Sequence, residues 1–236
     1  MTNMILNLAL AIVPTIIAIT LHEAAHGYAA LALGDSTARD AGRLSLNPLR
    51  HVDRVGTIIL PGILLISQLL LPPHRISFMF GWAKPVPVSP WQFRDPRRGM
   101  AIVAVAGPAM NFFLAWLAAL LMPETTVRGT IDAAFVQFLI YFMLSNLVLG
   151  LFNLLPIPPL DGGRIAVGLL PLNLAMAWAK LERAGIFIVL GAVFLLPYLT
   201  GFDPVGAALE EVLPWAFRTL FWLAGHEVGV VRGGSI

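Results

Sequence analysis

Residues 4–33 read MILNLALAIVPTIIAITLHEAAHGYAALAL, an apolar run whose only acidic, basic or imidazole side chains are His22, Glu23 and His26. From Met4 to His22 a helix rises about 27 Å, close to the hydrocarbon thickness of a bilayer. The run therefore predicts a membrane helix with its histidines deep, toward the far end. Gly34-Asp35 marks its end. Met1 to Leu21 carries no charged side chain. It lacks the basic start and small-residue cleavage site of a secretory signal, so the helix is expected to be retained.

His22-Glu23-Ala24-Ala25-His26 is an H-E-x-x-H pattern. On a helix, positions i and i+4 share a face, so two imidazoles can bind one Zn²⁺. Glu23 stands beside the first imidazole, where it can act as general base. Two histidines and a carboxylate inside a membrane segment are costly and point to function. The chain has no cysteine. Disulfides and thiolate ligands are excluded, and a metal must be held by His, Asp or Glu.

The rest of the composition agrees with a membrane protein. Of 236 residues, 58% are hydrophobic and 12% charged, and the mean hydropathy is +0.83. Soluble domains carry roughly twice that charge fraction. A net charge of +2 is too small to argue for nucleic acid. The basic residues sit in short segments beside apolar blocks, as topology determinants do.

Further transmembrane helices are expected over residues 100–122, 131–155 and 186–199. The run 55–71 is broken by Pro61-Gly62 and flanked by basic segments on both sides. Basic loops stay on the cytoplasmic side, so this run is expected to enter and return, with Pro61-Gly62 at its turn. The alternative is a short spanning helix. Only the re-entrant reading lets Asp161 emerge on the same side as the histidines. Arg164–Arg183 reads as short amphipathic helix interrupted by Pro171. Residues 204–224 read as a last helix, spanning or interfacial. Arg43–Asn47 alternates like a short strand, and Phe78–Trp82 and Pro85–Val88 look extended.

A catalytic zinc wants three protein ligands and an open position. His51 and His74 lie in basic loops and His226 in the tail, so each is expected to be exposed or interfacial. Asp161 is the better third ligand, in a Pro/Gly-defined turn. By itself it would read as a cap for the helix near Arg164; next to H-E-x-x-H it reads as a ligand.

Asn153-Leu154-Leu155-Pro156-Ile157-Pro158-Pro159-Leu160-Asp161-Gly162-Gly163 matches N-x-x-P-x-P-x-L-D-G at every position. Together with H-E-x-x-H it closely resembles the site-2 protease family of intramembrane metalloproteases, in its short bacterial branch without a PDZ domain. Gly81–Val88, Arg97-Arg98-Gly99 and Gly107-Pro108-Ala109-Met110-Asn111 extend the likeness over about residues 5–190. The resemblance implies that His22, His26 and Asp161 bind one Zn²⁺ and that Glu23 is the catalytic acid/base. It implies that Asn153 binds the substrate backbone or stabilises the oxyanion. Asn111 is read as an interhelical hydrogen-bonding residue.

The expected fold is an all-α polytopic membrane protein. A core of three transmembrane helices holds the zinc, beside a small membrane-associated β-hairpin or re-entrant segment and additional C-terminal helices. Residues 1–200 form the metalloprotease domain and 201–236 a C-terminal segment. The substrate is expected to be a membrane protein with a transmembrane helix, and the location a bacterial inner membrane. A metal transporter or an inactive membrane-protein-binding scaffold are the rival readings. A transporter is expected to show repeated halves, and the sequence has none.

Overall fold

The computed structural model describes residues 2–70, 81–123 and 130–226. Among these the chain is helical, with no strand. Helix α1, Thr2–Ala32, carries the H-E-x-x-H residues in its second half. Gly34, at φ +101°, turns the chain away from its end. Short α2, Thr37–Asp40, follows. A π-helical turn over Arg54–Ile59 leads into α3, Leu60–Leu70.

Helix α4, Pro96–Leu120, is the central element and packs against α1, α5 and α6. Helix α5 is Thr130–Asn153 and also packs on α1. Beyond it come α6, Asp161–Leu169, α7, Leu172–Lys180, and α8, Glu182–Leu190. A π-helical turn over Gly191–Leu195 joins α8 to α9, Leu196–Thr200. The last helix, α10, is Pro204–Leu223. It is not a detached tail: Ala216 and Leu220 share one apolar cluster with Ala115, Ala118 and Ala119 of α4 and Leu139, Met143 and Leu147 of α5.

Two of the described helices are long and apolar enough to cross a membrane, Pro96–Leu120 and Ala133–Asn153. The pair Leu172–Lys180 and Ala184–Thr200, bent by 72°, adds a third if it counts as one span. Helix α4 starts a turn before the apolar block at Met100. Asp95 caps it, accepting from the N–H groups of Arg97 and Arg98 at 3.1 Å each, and Pro96 occupies the first turn.

Two expectations are corrected. Pro61-Gly62 is not a turn: the π-helical turn Arg54–Ile59 runs directly into α3, and Pro61 sits at the junction of the two. The β-hairpin is not seen: Arg43–Asn47 and Gly81–Ser89 form no ladder, and residues 78–80 lie outside the described residues. The physical reason lies in where the N–H groups go. Pro85 and Pro87 have none. Trp82 donates to Gly56 O at 3.1 Å and Lys84 to His51 O at 2.8 Å. Val86 donates to the Glu23 carboxylate at 3.0 Å and Ser89 to Asp35 at 2.6 Å. The segment is stitched across loops and onto α1, with no partner strand among the described residues.

Asp35 is fully buried at the end of α1 and anchors that stitching. Burial opposes its charge. Hydrogen bonds from the Thr37 side chain and from the Ser89 and Thr37 amides outweigh this and hold its carboxyl below the usual carboxylate range.

Candidate metal centre

Two segments far apart in sequence build the site. The first is the α1 turn His22–His26. The second is the start of α6, reached through the turn after α5. In that turn Ile157 donates to Leu155 O at 2.7 Å and Leu160 to Ile157 O at 2.9 Å. Gly162 lies on the carbonyl of Leu154, and Gly163 lies 2.7 Å, by an added Cβ, from Pro158 Cα. A side chain at either position would push the turn open. This packing places Asp161 as the first residue of α6, with Leu160 as the N-cap. The Asp161 carboxylate therefore does not cap the helix; it turns to the two imidazoles.

His22 Nε2 and His26 Nε2 are 3.1 Å apart. Asp161 Oδ2 lies 3.2 Å from the first and 3.3 Å from the second. Among the described residues this is the group of His, Asp or Glu that could hold a metal ion. Zinc bonds of about 2.0–2.1 Å at a tetrahedral angle place ligand atoms about 3.3 Å apart, so the triangle has the right size.

The donor chemistry also fits. His26 Nδ1 is 2.7 Å from Val103 O, an atom that only accepts, so Nδ1 carries the proton and the neutral ring keeps a lone pair on Nε2. His22 Nδ1 is 2.5 Å from Asn111 Oδ1 and is arranged in the same way. Asp161 Oδ2 is buried without a hydrogen-bond donor. Three lone-pair atoms thus converge in a buried space, which a cation satisfies. Gly107 of α4 makes room for the rings: a Cβ there would stand 2.6 Å from His22 Cε1 and against His26 Nε2.

Glu23 is half-buried and fixed by the Val86 amide. Asn153 closes α5, with its Nδ2 donating to Leu149 O at 3.0 Å. Asn111 makes the expected interhelical bond, to Asn146 Oδ1 at 2.9 Å, and in addition orients His22. His51 is a correction: it is 3% exposed, not interfacial, and its Nε2 donates to Ser45 O at 2.8 Å. The short helical turn Pro48–His51 folds it under the loop. His226 is half-buried, 2.7 Å from Ala119 O, and His74 lies outside the described residues. Reading the sequence missed Asn146, although a carboxamide inside an apolar span is a visible signal. The contributions of Val103 O and the Val86 amide come from the main chain and carry no such signal.

An H-E-x-x-H helix and a distant aspartate closing a three-atom site, within an all-helical apolar chain, define a membrane-type metallopeptidase. Comparisons with known proteins agree. The model of Peptidase family M50 matches residues 122–196. A Bacillus subtilis protein provisionally named zinc metalloprotease YwhC is 39% identical over 79% of this chain and 80% of its own. A Mycobacterium tuberculosis protein, provisionally named zinc metalloprotease Rip2, is 30% identical over 94% of this chain and 76% of its own. Its Mycolicibacterium smegmatis counterpart is 29% identical over 88% of this chain and 70% of its own. No solved structure matches. The chain belongs to peptidase family M50, and is a site-2 protease-type zinc metallopeptidase.

Proposed function

We propose that His22, His26 and Asp161 hold the zinc and that Glu23 is the acid/base of an endopeptidase cutting transmembrane segments of other membrane proteins. The observation that carries this reading is the convergence of His22 Nε2, His26 Nε2 and Asp161 Oδ2 within 3.1–3.3 Å of one another. In this reading α1 crosses the bilayer with α4 and α5. The segment 55–71 does not cross, because basic residues flank it on both sides. The bacterial relatives support a place in a bacterial cell membrane.

Bound zinc supplies Lewis-acid polarisation of the scissile carbonyl and makes water a stronger nucleophile. Glu23 takes a proton from the attacking water and delivers it to the leaving amine as the C–N bond breaks. The Val86 amide, 3.0 Å away, holds the Glu23 carboxylate in place for both transfers. Asn153 binds the substrate backbone through its carboxamide, exchanging its present bond to Leu149 O.

A substrate helix hides its carbonyls in i→i−4 bonds and must unwind before attack. An open cavity of ≈ 450 Å³ beside α1, lined in part by Ile16, Ile19, Thr20, His51, Gly56 and Trp82, supports a place for the unwound segment. Ile16, Thr20, Glu23 and Gly27 follow one another at helical spacing, so the cavity opens on the α1 face that carries Glu23.

Glu23→Gln tests the assignment. With a transmembrane model peptide in detergent micelles, the variant is expected to lose cleavage while keeping its zinc, whereas the wild type is expected to lose cleavage only when a chelator strips its zinc. Normal cleavage by the variant removes Glu23 from the mechanism.

A further inference from the structure

A carboxamide has two faces. Turned over, Asn111 would offer its NH₂ group to His22 Nδ1. His22 would then carry its proton on Nε2, the atom that faces His26 and Asp161. Something must fix the orientation of Asn111, and the structure holds an answer one helix further away. Asn111 Nδ2 lies 2.9 Å from Asn146 Oδ1 on α5. Asn146 Nδ2 lies 2.8 Å from Phe142 O, one turn back on the same helix. A main-chain carbonyl only accepts. It pins the NH₂ of Asn146, which turns the Asn146 oxygen to Asn111, which turns the Asn111 oxygen to His22. Both asparagines are 0% exposed, so bulk water does not compete. A longer contact of 3.5 Å from Asn111 Nδ2 to Ala18 O has the same polarity and is weak at that distance.

We propose that Asn146 is a positioning residue for the metal site: through Asn111 it fixes the proton of His22 on Nδ1 and so keeps Nε2 available to the metal. This rests on the ligand assignment proposed above. The plain alternative is that the two buried amides only hold α4 and α5 together. Interhelical glue has no required direction; the relay has one, from Phe142 O to His22.

That difference decides the experiment. The full chain is purified in detergent, and its zinc Kd is measured by competition with a chromophoric chelator, alongside Tm. Asn146→Leu removes the acceptor that orients Asn111 and is expected to raise the zinc Kd about 10- to 100-fold. Adding Asn111→Asp to that variant is expected to recover most of the loss, because a carboxylate accepts from His22 Nδ1 whichever way it turns. Asn146→Asp, which still accepts from Asn111, is expected to bind zinc as the wild type does even if Tm falls; it also covers the case in which Asn146→Leu fails to fold. The visible spectrum of the Co²⁺-loaded protein is expected to change for Asn146→Leu and to return in the double variant. An unchanged zinc Kd in folded Asn146→Leu, no recovery in the double variant, or a weakened Kd in Asn146→Asp each overturns the relay. His22→Ala separates the two ideas: if it binds zinc like the wild type, the ligand assignment falls, and the relay falls with it.

Discussion

Gly107→Ala is the sharpest steric probe of the candidate metal centre, because the two imidazoles take up the space that α4 leaves there. An added Cβ would stand 2.6 Å from His22 Cε1 and against Nε2 and Cε1 of His26, whereas ordinary contact begins near 3.4 Å. The rings must then retreat by about 1 Å, while a zinc site tolerates deviations of about 0.2 Å in its bonds. Retreat is opposed on both rings, by Asn111 Oδ1 on Nδ1 of His22 and by Val103 O on Nδ1 of His26. With two of the three proposed ligands displaced, the expected loss of zinc affinity is at least about 100-fold, or about 2.7 kcal/mol. Chelator competition on the detergent-solubilised protein reads this directly. Gly191→Ala is the control, since nothing lies within 4 Å of a Cβ there; it should keep its zinc and gain up to about 1 kcal/mol of helix stability. A folded Gly107→Ala protein with wild-type zinc affinity would refute the packing argument.

Two more outcomes are expected. Val86→Pro deletes the donor to Glu23 while keeping the extended Pro85–Pro87 backbone, so peptide cleavage should fall with zinc content unchanged; equal cleavage would show that the Val86 amide does not hold the proposed base. Asp35→Asn should cost about 2 kcal/mol near neutral pH by weakening the charged tether to Ser89 and Thr37. The folded pKa of Asp35 is lowered, so its stabilisation is complete above the unfolded carboxylate value of about 3.9 and is lost as pH falls through the lower folded value. Melting curves of both proteins should converge in acid, and a gap that persists at low pH would contradict this.

Much of the chemistry was legible because it is local. H-E-x-x-H needs only helical periodicity to place His22 and His26 on one face, and the long apolar blocks announce helices through their length alone. Element starts were less legible. Hydropathy began α4 at Met100, but the helix starts where Asp95 can satisfy its free N–H groups. The run through Pro85 and Pro87 looked like a strand because both states are extended. A strand is defined by its partner's hydrogen bonds, and here the N–H groups go elsewhere. His51 looked like a loop residue; its burial depends on a fold-back that no local pattern encodes.

The sequence by itself determined that the chain is helical and apolar, that a metal must be held by imidazole and carboxylate, and which side chains were eligible. Only the tertiary structure decided that Asp161 Oδ2 comes within 3.3 Å of both ring nitrogens and that Asn146 sits behind Asn111. The reason is physical. Periodicity fixes directions within one helix, whereas the meeting of α1, α4, α5 and α6 depends on how closely their surfaces pack. That in turn depends on Gly107 leaving space for two rings, and on Gly162 and Gly163 letting the turn close.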